Sequence, residues 1–209
     1  MKRCSGRHPM LGIGLGWMLC ACALTAFAAP PHDLDAYAAR AMRTFGAPGM
    51  AVTIAQGDQI ITRAYGVREL GMPGRVDAHT TFPIGSNTKA FTSVSLAILV
   101  DDGKLHWHDH VADRLPGFQM YDAYASHEMT IIDLLTHRSG LGLGEGDLMF
   151  VPTTNRTRAE FVRSLRYLKP ATSFRSGYAY DNVLYVAAGQ LIQAVSGKTW
   201  EAFVKQHIS

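Results

Sequence analysis

The sequence predicts an α/β chain of the α+β type, with an N-terminal helix and a β-hairpin beside a helical lobe. Three stretches carry that expectation. Residues 49–67 alternate and are rich in β-branched side chains on either side of Gly57-Asp58, the pattern of two antiparallel strands and their turn. Residues 90–100 (AFTSVSLAILV) and 183–196 are apolar almost all round, as buried helices are. A sheet of two strands is not independently stable, so the fold is expected to be partial, with C-terminal strands of the sheet missing.

The first 28 residues read as a leader. Lys2, Arg3 and Arg7 form a basic start, residues 10–27 are apolar, and Ala26-Phe27-Ala28 is a small-x-small cleavage pattern. Cleavage near Ala28 is expected, leaving one domain over residues 29–209 in the periplasm or secreted. Lipidation at Cys22 and an uncleaved anchor are the two other routes. All three cysteines (Cys4, Cys20, Cys22) fall inside this segment. The mature chain then has no thiol, which excludes disulfides, a cysteine nucleophile and a Cys-ligated metal. Removing the leader's three basic residues leaves 17 of the 20 Lys and Arg against 17 Asp and Glu. A neutral body offers no electrostatic reason for a nucleic-acid or anionic-membrane partner. A small-molecule or peptide substrate is the expected partner, with membrane contact only through the N-terminus; oligomeric state is left open.

Downstream, Asp33 is placed to cap a helix with apolar residues at helical spacing from Leu34 to Phe45, ended by Gly46 and Pro48. The hairpin follows, then a loop over 68–80 with Gly71, Pro73 and Gly74. Residues 81–92, TFPIGSNTKAFT, set Ser86 and Lys89 on the first turn of the core helix that Gly103 stops. At spacing i,i+3 the two share a face. The positive end of the helix favours a developing alkoxide, and a half-buried lysine loses charge more easily than a solvated one. Alone, S-x-x-K is a common chance pattern whose bland form is a capping serine with a solvated lysine. Residues 104–111 are polar and His-rich, 129–135 form a short helix, 141–152 are Gly-rich and irregular, and 158–168 are helical. A loop over 173–181 leads to the apolar helix at 183 and an amphipathic one over 200–208.

Tyr180-Asp181-Asn182 stands immediately before that apolar helix. Together, TFPIGSNTKAFT, DLLTHRSGL (133–141) and FRSGYAYDNVLYVAAGQLIQAVSGKTWEAFV (174–204) resemble the serine β-lactamase and penicillin-recognising family. The branch is that of class C β-lactamases and their esterase and D-amino-acid peptidase relatives. The resemblance covers about 34–207 and implies a β-lactamase/transpeptidase-like fold. It implies Ser86 as the acylated nucleophile, with Lys89 beside it. Tyr180 would take the serine proton and later activate the deacylating water, and Asn182 would hold the lysine and contact the substrate amide. No metal or organic cofactor is implied. A phenol near its ordinary pKa of ~10 is a poor base at neutral pH and needs a nearby cation, which Lys89 supplies. The Ser86 N–H would form half of an oxyanion hole.

The family's third motif, Lys or His, a small residue, then Gly, is not found: Gly197-Lys198-Thr199-Trp200 has Trp in place of Gly. The resemblance therefore implies the N-terminal part of a longer enzyme, unstable or inactive alone. The expected activity is hydrolysis of a β-lactam, a D-amino-acid peptide or a small ester; a non-hydrolysing penicillin binder or sensor is the alternative. Tyr178 rivals Tyr180 but lacks an Asn two residues on, and is assigned to packing. His106-Trp107-His108-Asp109-His110 is one residue short of the zinc signature H-x-H-x-D-H and is assigned to solvated surface. His137, tempting as a base, is assigned to a hydrogen-bonded turn.

Overall fold

The computed structural model describes residues 32–208, so the expectations about the leader, its cleavage near Ala28 and its cysteines lie outside the described residues. The described chain falls into two compact units, one ending at Phe82 and one beginning at Pro83. Its mixed α/β make-up follows the expected class.

In the first unit, helix α1 (Leu34–Phe45) buries Ala38 and ends at Gly46, whose left-handed φ of 64° suits a glycine. Asp33 is at the N-cap position but makes no side-chain cap bond, contrary to expectation. Its φ/ψ of −98°/12° lies outside the extended region from which a capping carboxylate reaches the N2 or N3 amide. The neighbouring Asp35 instead accepts a hydrogen bond from Tyr65 Oη at 2.7 Å. Strands β1 (Gly49–Gln56) and β2 (Gln59–Gly66) pair antiparallel from Gly49 opposite Gly66 to Gln56 opposite Gln59. Thr53 and Thr62 face each other with hydroxyls 3.1 Å apart. Gly66 has φ 73°, and a Cβ there would stand 2.1 Å from the Pro48 carbonyl, so the chain requires glycine as it leaves β2.

The second unit is helical: α2 (Thr88–Asp101), α3 (Val111–Arg114), α4 (Ala123–Glu128), α5 (Ile131–Leu135), α6 (Arg158–Ser164), α7 (Val183–Ser196) and α8 (Trp200–His207). Helix α7 packs against α2, α3, α5, α6 and α8, which explains its nearly uniform apolarity. Its own Leu184, Leu191 and Ile192 are fully buried against Leu96, Leu99, Leu134 and Leu165 of the same core, each contributing about 1.5–3 kcal/mol of apolar burial. Helix α2 departs from the expected burial on all sides. It packs on α7 and α8 through Thr92, Ser95, Leu96 and Leu99, while Val94 remains 47% exposed. Trp200 donates its indole N–H to Thr92 Oγ1 at 3.0 Å, tying α8 to α2.

Local capping sets the helix starts. Asp122 accepts the Ala125 amide at α4, Thr199 the Ala202 amide at α8, and Thr157 with Glu160 forms a capping box at α6. A further box, Thr130 with Asp133, starts α5 at Ile131 rather than at Met129. Helix α6 is shorter than its apolar pattern suggests, because residues 165–167 tighten into a 3₁₀ turn before Pro170.

Candidate active site

Ser86 stands on a 3₁₀ turn, Gly85–Asn87, immediately before α2. Gly85 has φ 52°, a left-handed conformation that bends the chain into the helix and presents Ser86 at the surface. Lys89, half-buried on the first turn of α2, brings Nζ to 3.3 Å from Ser86 Oγ. Tyr180 comes from the loop before α7, and its Oη lies 2.6 Å from Ser86 Oγ. Asn182, at the N-cap of α7, accepts a hydrogen bond from Lys89 Nζ at 2.5 Å through Oδ1. All four residues implied by the resemblance thus meet, across 94 positions of sequence between Ser86 and Tyr180.

Lys89 also lies over two aromatic faces, with Nζ 4.6 Å from the Tyr180 ring centroid and 5.1 Å from that of Tyr185. Tyr185 is held from below by its own hydroxyl, which donates to the Leu135 carbonyl at 3.0 Å. Lys89, and after it the Ser86 hydroxyl, hold the Tyr180 phenol below its ordinary pKa. A cation placed against a phenol favours phenolate, so the geometry supplies the physical condition under which Tyr180 can accept a proton.

The loop carrying Tyr180 is braced on the 137–140 turn. His137 sits at φ 57°, its carbonyl accepting the Ala179 N–H at 3.0 Å and its Nδ1 the Asp181 N–H at 3.3 Å. Its ring lies against Tyr180 at 4.4 Å between centroids and against Tyr185 at 5.5 Å. Burial, and then the Lys89 charge, push the imidazole pKa down, which keeps it neutral beside the lysine. Tyr178 is 69% exposed and meets only the edge of His137 at 5.6 Å, so Tyr180 alone of the two reaches Ser86. Asp181 is fully buried, with Oδ2 accepting from Ser139 Oγ at 3.2 Å and Oδ1 from the Leu184 amide at 3.4 Å. Burial pushes its carboxyl up to about 6. Arg175 closes the brace, gripping Asp133 through Nε at 3.0 Å and Nη2 at 2.6 Å, and donating to the Glu128 carbonyl at 3.0 Å.

Two residues at the site, Asp147 and Tyr185, carry no sequence signal. Asp147, in the 3₁₀ turn Asp147–Met149, accepts from Asn182 Nδ2 at 3.1 Å through Oδ1 and 3.0 Å through Oδ2. Only this orientation of the Asn182 amide sets its donor to a carboxylate and its acceptor to an ammonium. Asp147 lies in the Gly-rich 141–152 stretch beside Glu145, and nothing in that run distinguishes one acid from the other. Tyr185 was equally hidden, reading as one more core residue of an apolar helix.

A cleft of about 370 Å³ adjoins the nucleophile, lined by Ser86, Lys89, Asn182, Phe150, Val186 and Trp200. Among the described residues no group of three or more His, Cys, Asp or Glu is arranged to hold a metal ion. In the His-rich stretch, Asp109 is engaged by Arg114 at 2.8 Å, and His106 lies 3.6 Å from it.

Comparison with known proteins gives a consistent picture. The β-lactamase family model matches residues 34–209. The unguisins hydrolase of Aspergillus violaceofuscus is 30% identical over 182 residues, covering 84% of this chain and 32% of that protein. The octameric penicillin-binding protein homologue from Pyrococcus abyssi superposes with a TM-score of 0.71 at 26% identity, over 84% of this chain and 41% of its own. The β-lactamase/D-alanine carboxypeptidase from Yersinia pestis, complexed with citrate, gives 0.70 at 25% identity, over 83% and 50%. The chain spans about a third of the length of the first two curated relatives, 32% and 29%.

Proposed function

The chain belongs to the β-lactamase family, and from that premise we propose that it is an exported serine hydrolase acting through an acyl-enzyme on Ser86. The observation that carries this reading is the contact of Ser86 Oγ with Tyr180 Oη at 2.6 Å while Lys89 Nζ stands 3.3 Å from the same oxygen. A nucleophile, a base and a cation that activates the base are the minimum for acyl transfer.

As phenolate, Tyr180 accepts the Ser86 proton while Oγ attacks the substrate carbonyl. The Ser86 N–H stabilises the oxyanion. Tyr180 then returns the proton to the leaving group and, in the second half-reaction, takes one from the water that releases the acyl group. Asn182 holds Lys89 in place throughout. The substrate is a β-lactam, a D-amino-acid peptide or a small ester, which share an electrophilic carbonyl and a leaving group that needs a proton. Export rests on the N-terminal leader pattern of residues 1–28.

The test is labelling with a fluorescent penicillin and with p-nitrophenyl acetate, followed by mass spectrometry of the adduct. A mass increase on Ser86, abolished by Ser86→Ala, is the expected result, and its decay over time measures turnover. An adduct that persists points to a non-hydrolysing binder. Label that survives Ser86→Ala, or no label on the full-length protein, overturns the assignment.

A further inference from the structure

We propose that the cleft beside Ser86 receives the acyl half of the substrate and that Gly189 keeps it open, so that the site favours acyl groups that are apolar and longer than acetyl. The proposal rests on the reading of Ser86 as the acylated nucleophile.

Gly189 is buried in the middle of α7, a position where glycine is costly because it loses the most backbone freedom and packs no side chain. The packing does not require it. Its φ is not positive, and a Cβ there would meet Arg158 Nε at 3.6 Å, and Arg158 Cδ and Trp200 Cδ1 at 3.7 Å, all at ordinary van der Waals distance. At Gly66, by contrast, a Cβ would stand 2.1 Å from a carbonyl oxygen. A methyl group would fit at position 189, yet the helix carries none. What glycine preserves there is room, for Gly189 lines the cleft of about 370 Å³ that begins at Ser86.

That volume is within the range of small-molecule pockets, and Phe150, Val186 and Trp200 give it apolar and aromatic walls. The polar side chains farther from Ser86 are already bonded within the protein. Thr92 Oγ1 accepts the Trp200 indole N–H at 3.0 Å and donates to the Thr88 carbonyl at 3.4 Å. The Tyr185 hydroxyl donates to the Leu135 carbonyl at 3.0 Å. Arg158 donates to Glu201 through Nη2 at 2.6 Å, so its charge is balanced and offers little to an acidic tail. What the walls present to a ligand is apolar surface, and covering it is favourable.

Tyr180 decides which half of the substrate enters. Ser86, Lys89 and Asn182 line the cleft, and Tyr180 does not. In acylation the bond from Ser86 Oγ to the acyl carbon forms and the bond from that carbon to the leaving group breaks. The serine proton passes through Tyr180 to the leaving atom. The leaving group must therefore lie at the Tyr180 hydroxyl, outside the lining of the cleft, and the half retained on Ser86 is the one the cleft receives. Water then releases it as the free carboxylic acid.

The experiment uses the full-length protein with p-nitrophenyl acetate, butyrate and hexanoate, which share one leaving group. Acylation is read from the p-nitrophenolate burst, corrected for uncatalysed hydrolysis, with the adduct on Ser86 verified by mass spectrometry. Hexanoate should acylate at least about tenfold faster than acetate, since each buried methylene is worth about fourfold. Gly189→Leu, which fills the cleft, should bring the hexanoate-to-acetate ratio towards one. Gly189→Ala should lower the ratio in part while melting no lower than the unaltered protein, and it decides the matter if the leucine variant does not fold. A ratio near one in the unaltered protein, or one that folded Gly189→Leu or, failing that, Gly189→Ala leaves unchanged, overturns the proposal while Ser86 acylation stands. No adduct on Ser86 from any of the three esters overturns the proposed function, and this inference with it.

Discussion

Replacing Asp181 with Asn should remove a pH-dependent penalty from the second unit. The carboxyl is fully buried, and burial pushes it from 3.8 up to about 6, against the smaller opposing effect of the Ser139 and Leu184 hydrogen bonds. The unfolded chain releases this proton near the ordinary carboxylate value, while the folded chain keeps it. Stability from this group is therefore full below pH 3.8 and declines as pH rises to about 6. A shift of about two pH units corresponds to about 3 kcal/mol, or about 6–12 °C in melting temperature for a chain of this length. Asn carries no charge at any pH, and its Oδ1 can still accept the Ser139 hydroxyl. Thermal melts of both proteins from pH 3.5 to 7.5 should show the variant gaining by that amount across the window. The titrations of other groups are common to both proteins and cancel in the comparison. Melting curves separated by a constant gap would refute the reasoning, and so would a gap that moves in favour of the wild type.

Two further outcomes follow from the brace and from the nucleophile's base. Arg175→Ala strands a carboxylate that is only 9% exposed. It should cost about 2–3 kcal/mol in urea unfolding at neutral pH, below the range for a fully buried pair because Arg175 is itself 39% exposed. Burial alone would raise the Asp133 pKa, but hydrogen bonds from Arg175 and Thr130 outweigh it and hold the carboxyl low. The stabilisation is thus present at neutral pH and should vanish as pH falls through that lowered value. Tyr180→Phe should slow Ser86 acylation by about 10²–10⁴. The wild-type acylation rate, followed by stopped flow with fluorescent penicillin, should climb with pH and level off below the ordinary phenol value, as its lowered pKa requires. A plateau at or above that value would count against Tyr180 as the base.

What could be read from the sequence was local. The hairpin is legible in the alternation around Gly57-Asp58 and α7 in its unbroken apolar run, while the grouping of Ser86, Lys89, Tyr180 and Asn182 is what the family resemblance of three short blocks implies. What could not be read depends on partners far away in the chain. Asp147 acquires a role only by meeting Asn182, 35 residues on, and Arg175 only by meeting Asp133, 42 residues back. Val94 looked like core because periodicity reports that a side chain is apolar, not whether a neighbour arrives to cover it. Asp33 failed as a cap because residue type permits capping while backbone dihedrals decide it.

The long span between the reacting residues also sets when the site comes into being. Lys89 belongs to a helix that forms from its own neighbours, but its bond to Asn182 closes a loop of 93 residues. The entropy of that closure must be met by the docking of α7 on α2, not by the bond itself. Until those helices meet, Tyr180 has no lysine beside it and Ser86 is an ordinary hydroxyl. The proposed chemistry thereby depends on the docked helices, and a chain in which α7 has not met α2 lacks the arrangement it needs.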